Sequence, residues 1–150
     1  LIWRTLERLQ DFGVQLAVIF TGHFADEQLA LISDIEQAWN SGKNSLIARS
    51  HAVNMPLTDA PAPDHAGIFE TTLITATWPD RVSIDELPDL ATSPSIDPEG
   101  NPMGLHRHEP SHPLWGIFGP DPRNFDASLS KGLLEKLALK LQADVDLTLP

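Results

Sequence analysis

Apolar and polar positions follow two different periodicities in the first part of the chain. Apolar residues recur at helical spacing over residues 1–12, and Gly13 supplies the usual left-handed end of a helix. Residues 14–20 instead form an apolar run, rich in residues that favour β-strands, in which Gln15 is the one polar position. Because this run is apolar on both faces, it predicts a strand buried inside a parallel sheet.

Helical spacing returns after this run and is followed by a second strand. Asp26 and Glu27 place acidic side chains in the first turn of the predicted helix, where the helix dipole favours them, and Gly42 ends it. Residues 45–53 predict the second strand. The apolar positions of the helix between the strands are Leu29, Ile32, Ile35, Ala38 and Trp39.

Prolines dominate the second half of the chain. A proline-rich connection over residues 55–64 precedes a helix predicted over residues 65–77. Residues 79–125 hold nine of the thirteen prolines, which predicts a long surface coil with a short strand near residues 114–118. The last predicted helix covers residues 127–142. Its apolar stripe consists of Leu133, Leu134, Leu137 and Leu141.

The alternation of helices and strands predicts an α/β layered fold with a mainly parallel sheet. The length of 150 residues fits a single domain over residues 1–150. A net charge of -11 argues against nucleic acid as a partner, because phosphates attract clustered Lys and Arg. No apolar run approaches the roughly 20 residues that a membrane span requires. The absence of cysteine excludes disulfides and thiolate metal sites, and fits a cytoplasmic protein.

His23 is the first candidate for chemistry. It follows the predicted strand 14–20, and ligand sites of open α/β sheets lie beyond the carboxyl ends of the strands. Imidazole is the commonest metal ligand, yet a single His after a strand is more often structural. Both interpretations stay open on these residues alone.

A second candidate is the segment Asp64-His65-Ala66-Gly67 with Glu70 three positions later. Small residues between His65 and Glu70 allow another group to approach the backbone. If His65 lies at the helix entrance, both side chains can reach one cleft. In the structural alternative, Asp64 caps the helix and Glu70 is a solvated carboxylate.

Three motifs resemble those of the creatininase (creatinine amidohydrolase) family, in the same order and with similar spacing. Thr21-Gly22-His23 is similar to the Asn-Gly-His motif of that family. The second match is the segment from Asp64 to Thr72, followed by Trp78-Pro79-Asp80-Arg81-Val82. The third is Gly116-Ile117-Phe118-Gly119-Pro120-Asp121-Pro122 with Ala127 and Gly132 after it.

The resemblance implies a layered α/β amidohydrolase that uses a dinuclear centre of divalent metal (Zn, Mn or Fe) and assembles as a homo-oligomer. By the same resemblance, His23 and Glu70 bind metal, and His65 is the catalytic residue that assists proton transfer. The substrate class would be a small amide, cyclic amide or formamide.

Several positions depart from the family pattern. Thr21 and Asp26 stand where Asn is usual, and Ala25 replaces a metal-binding Glu of true creatininases. Pro61 and Ala62 replace the Trp and Asp that hold creatinine, which argues against creatinine as the substrate.

The first half of the family, with its Glu-x-His pair and bridging Asp, has no counterpart in this sequence. We therefore expect the chain to be the C-terminal portion of a family member, inactive by itself and prone to self-association. The opposing hypothesis is a catalytically degenerate assembly or binding module. A His-rich segment, residues 106–112, is a rival metal site, although prolines and Arg107 make a loop role the stronger interpretation.

Overall fold

The computed structural model describes residues 1–93, 109–112 and 114–149, which combine helices with a two-stranded parallel sheet. The main elements are α1 Ile2–Asp11, β1 Leu16–Thr21, α2 Asp26–Asn40, β2 Ile47–Ala52, α3 Ile68–Thr77 and α4 Ser130–Thr148. The chain divides into two compact units. The first unit comprises Leu1–Pro56 with Lys140–Pro150, and the second comprises Leu57–Leu139. A single domain over residues 1–150 stays a prediction.

The end of α1 confirms the role predicted for Gly13. Its φ is +77°, in the left-handed region where glycine is unstrained. The N–H of Gly13 donates to the carbonyl of Gln10, and the N–H of Val14 donates to that of Leu9. These two bonds satisfy carbonyls that the end of the helix leaves unpaired. The chain therefore ends α1 in an ordered turn and continues into β1.

The sheet of the first unit has the parallel pairing that the sequence predicts. β1 and β2 pair in register from Leu16 with Ile47 to Thr21 with Ala52, and α2 connects them. Trp39 is 1% exposed, and its indole N–H donates to the carbonyl of Leu46. The core consists of Leu6, Ala17, Trp39, Leu46 and Ala48.

The prediction that β1 is buried on both faces is wrong. Ala17 and Ile19 pack into the core, but the alternate residues Val18 and Phe20 are 40% and 46% exposed. Side chains of a strand point to opposite faces in turn, so one face of β1 packs and the other is open. An α/β composition is thus present, and the described sheet has two strands.

The second unit departs more from the predicted elements. α3 begins at Ile68, three residues later than expected, because His65 pairs with Phe118 in an isolated antiparallel bridge. That bridge is all the structure has of the strand predicted at residues 114–118. α4 extends six residues beyond its predicted end at Gln142. Short 3-10 turns occur at Pro79–Arg81, Ile84–Glu86, Pro122–Asn124 and Ala127–Leu129.

Across the described residues, no helix combines the length and the hydrophobicity that crossing a bilayer would require.

Candidate functional site

A buried carboxylate organises the turn that precedes α3, which we call the Asp64 turn (residues 64–67). Asp64 is 4% exposed. Its two oxygens accept hydrogen bonds from the N–H groups of Gly67 at 3.2 Å, Phe69 at 2.8 Å and Glu70 at 3.2 Å. N–H groups in the first turn of a helix have no partner within the helix. Asp64 supplies that partner, so its side chain caps α3 as the structural alternative proposed, although the N-cap position itself is occupied by Gly67.

The backbone around Asp64 leaves no room for larger residues. A Cβ added to Gly67 would lie 2.4 Å from Oδ2 of Asp64, and one added to Gly119 would lie 2.3 Å from its Cβ. Ala66 adopts a backbone φ of +55°, a value that residues other than glycine rarely take. Close packing against the side chain of Asp64 therefore accounts for glycine at positions 67 and 119.

Burial also changes the acidity of this group. Desolvation raises the pKa of Asp64, because removing a carboxylate from water disfavours its charged form. The three N–H bonds oppose this effect without cancelling it, and the nearby charge of Glu70 adds to it. The Asp64 turn thus contains a carboxyl group whose ionisation opposes folding.

The Asp64 turn brings together two of the three predicted site residues. Nδ1 of His65 lies 3.9 Å from Oε2 of Glu70, and their side chains are 56% and 33% exposed. Backbone bonds with Phe118 in both directions fix His65, and its ring lies against the ring of Phe118, with centroids 5.3 Å apart. Glu70 is held by the N–H of Ala66, which donates to Oε2 at 2.8 Å. A His and a carboxylate therefore stand side by side on an anchored backbone.

An open cleft of about 300 Å³ lies next to this pair, and we call it the Arg81 cleft. One wall comes from the Asp64 turn and α3, and the other from the 3-10 turn Pro79–Arg81 and the residue after it. The lining residues are Ala66, Glu70, Thr71, Ile74, Arg81 and Val82.

His23, the third predicted site residue, lies in the first unit just after β1. Its carbonyl accepts the hydroxyl of Thr21 at 2.7 Å, and its N–H donates back to the same hydroxyl oxygen at 3.2 Å. Gln28 also donates to the Thr21 hydroxyl, at 2.6 Å. The position beyond the strand end is as predicted, and Thr21 orders the turn. Glu70 belongs to the second unit.

Sequence reasoning missed a further histidine at the same sheet edge. Nδ1 of His51, near the end of β2, lies 3.7 Å from Oδ2 of Asp144, and both side chains are about four-fifths buried. Oδ1 of that carboxylate lies 3.0 Å from Nζ of Lys140. The argument that singled out His23 applies equally to His51, because the ends of parallel strands meet at one edge. The partner Asp144, far along the chain, gives no sequence signal.

The described residues do not fit a resident dinuclear metal centre by themselves. Within residues 1–93, 109–112 and 114–149, no group of three or more His, Asp or Glu is arranged to hold a metal ion. The rival segment 106–112 lies partly outside the described residues. In its described part, Nδ1 of His112 accepts the N–H of Leu114 and Glu109 accepts the hydroxyl of Ser111.

Comparison with known proteins adds no assignment. No protein-family profile, no curated protein and no solved structure matches the chain.

Proposed function

We propose that this chain forms part of a metal-dependent amidohydrolase with a creatininase-like layered α/β fold. The reaction is hydrolysis of the C–N bond of an amide, cyclic amide or formamide. The order of the three sequence motifs supports this proposal. The structural observation that carries it is the His65–Glu70 pair, which a buried, capped turn presents beside an open cleft.

His65 has the chemistry for moving a proton. Its imidazole can accept a proton at one nitrogen and donate one from the other. The carboxylate of Glu70 lies 3.9 Å from Nδ1, so it faces that nitrogen of the ring without hydrogen bonding to it. The other nitrogen is then available to exchange a proton with the leaving nitrogen of an amide. The fixed backbone of His65 keeps this geometry in place.

By the family resemblance the proposal also includes a divalent metal, Zn, Mn or Fe, for which His23 and Glu70 are each candidate ligands. A bound metal would polarise the substrate carbonyl and acidify water. A homo-oligomer in the cytoplasm is part of the same proposal, supported by the exposed apolar face of β1 at Val18 and Phe20 and by the absence of cysteine.

The test is turnover by the protein expressed with the coding sequence that adjoins it in the genome. It would be loaded with zinc, manganese or iron in turn and offered a panel of amides, cyclic amides and formamides. His65→Ala should lower kcat by about 10²–10⁴-fold, the usual contribution of a proton-transfer group. Arg8→Ala, at an exposed side chain of α1 outside the proposed site, is the control and should keep turnover within a few-fold. Unchanged turnover in His65→Ala would remove its assigned role.

A degenerate assembly or binding module is the second candidate function. The observation that favours it is the hydrogen bond from Ala66 to Glu70, which gives this carboxylate a structural task without any metal. The reading frame upstream of Leu1 separates the two candidates. A continuous frame with a Glu-x-His pair and an Asp supports the hydrolase, whereas a start codon at that point supports the module.

A further inference from the structure

The Arg81 cleft contains opposite charges that do not neutralise each other. Glu70 and Arg81 both line it, yet the structure forms no ion pair between them. Oε2 of Glu70 accepts the N–H of Ala66, while Oε1 has no hydrogen-bond donor among the described residues. The cleft therefore offers an acceptor on one side and a guanidinium on the other.

Arg81 stands apart from the other described arginines. Within the part of the chain that the structure describes, its guanidinium makes no ion pair and no side-chain hydrogen bond. Each of the others contacts a carboxylate: Arg4 with Glu7, Arg8 with Asp11, Arg49 with Glu36, and Arg123 with Asp121. Acidic residues outnumber basic ones by 21 to 10. An arginine without a carboxylate in so acidic a chain is open to an anion from outside.

The other lining residues and the volume of the Arg81 cleft indicate the size and polarity of a ligand that would fit it. Ile74 and Val82 are apolar, and Thr71 adds a hydroxyl. A volume of about 300 Å³ is at the low end for sites that bind small molecules. The cleft suits a ligand of a few carbon atoms with a charged end, and not an extended polymer.

We infer that the Arg81 cleft binds a small organic acid that also carries an amide N–H. Its carboxylate bonds the guanidinium of Arg81, whose planar donors match a carboxylate in two-point geometry. Its N–H donates to Oε1 of Glu70, and its short carbon skeleton lies against Ile74 and Val82. This inference rests on the proposed function and refines it, because it selects carboxylate-bearing amides as the substrate class.

The experiment compares two probes that differ only in charge, N-acetyl-L-alanine and N-acetyl-L-alanine amide. Each is titrated into the 15N-labelled protein, and backbone amide shifts are followed by NMR. The acid should shift the amides of Thr71, Ile74 and Val82. The neutral probe should bind at least about tenfold more weakly, since a charge-assisted bond to arginine is lost.

Arg81→Gln should lower the affinity of the protein for N-acetyl-L-alanine to that for the neutral probe. Lys43→Gln is the matched control, because Lys43 also makes no ion pair with a described residue and lies in the first unit. It removes the same charge and should leave binding unchanged. Equal affinity for the two probes, shifts outside the cleft only, or equal losses in both variants would each overturn the inference.

These outcomes are separate from the fate of the proposed function, because binding is read without turnover. Selective binding of the acid with no hydrolysis of any amide would support the cleft and contradict the hydrolase. Hydrolysis of amides with no preference for a carboxylate would support the hydrolase and contradict the cleft.

Discussion

The two units of the chain owe their order to different kinds of contact. In the first unit, Trp39 and its apolar neighbours lie beneath a parallel strand pair. The second unit also buries apolar side chains, such as Phe69, but buried charges fix its turns. Asp64 collects three N–H groups, and Asp121, which is fully buried, bonds Arg123 at 2.6 Å. The periodicity of apolar residues in the sequence predicts contacts of the first kind, but it does not predict contacts made by buried charges.

The largest expected effect is the loss of the main apolar side chain of the first unit. Trp39→Ala should lower the free energy of unfolding by about 3–5 kcal/mol, because it leaves a cavity between α2 and the sheet. Urea unfolding followed by far-UV circular dichroism measures this. Trp78→Ala, at a side chain that is 66% exposed, is the control and should change little. Equal losses would contradict the assignment of Trp39 as the centre of this core.

The corresponding test in the second unit removes the carboxylate of the Asp64 turn. Asp64→Ala leaves three N–H groups without their acceptor and should cost about 2–3 kcal/mol, above a typical helix cap. Asp126→Ala removes a cap from the exposed 3-10 turn Ala127–Leu129 and should cost less. If the two losses were equal, burial would add nothing to the capping role of Asp64.

A pair of glycine substitutions should have effects of opposite sign. Gly119→Ala places a Cβ 2.3 Å from the Cβ of Asp64, and such overpacking costs about 1–3 kcal/mol. Gly132, inside α4, has open space where a Cβ would lie. Gly132→Ala should therefore stabilise the protein by about 0.5–1 kcal/mol, the usual difference within a helix. A stable Gly119→Ala protein would show that the Asp64 turn is less tightly packed than described.

The two units also differ in how much of their structure could be predicted from the sequence. The spacing of Ile32 and Trp39, the stop at Gly42 and the apolar run at residues 14–20 predict α2 and β1, because burial of apolar surface drives both. The late start of α3 could not be predicted, since it depends on a bridge between His65 and Phe118 across a proline-rich segment. Periodicity likewise could not place Arg81 and Glu70 on the walls of one cleft, because that depends on the contact of the 3-10 turn Pro79–Arg81 with α3.

The smallest expected effect is a pH dependence that differs in sign between two caps. Burial raises the pKa of Asp64 above its ordinary value of 3.8, whereas hydrogen bonds from the hydroxyl and N–H of Ser128 lower the pKa of Asp126. As the pH rises above 3.8, the unfolded state loses the Asp64 proton before the folded state does, so stability falls until the folded group has ionised. For Asp126 the folded group stays charged longer, so stability is lost as the pH falls below 3.8.

Asp64→Asn and Asp126→Asn each remove one titrating carboxyl group. The difference in unfolding free energy between the native protein and each variant, measured from pH 3 to 7, gives the contribution of that group. The advantage of the native protein over Asp64→Asn should shrink as the pH rises. Its advantage over Asp126→Asn should grow over the same rise. Slopes of the same sign would mean that the hydrogen bonds to Asp64 outweigh its burial. The buried carboxylate of the second unit would then stabilise the fold by its charge, as an exposed cap does, and the contrast in acidity between the two caps would be lost.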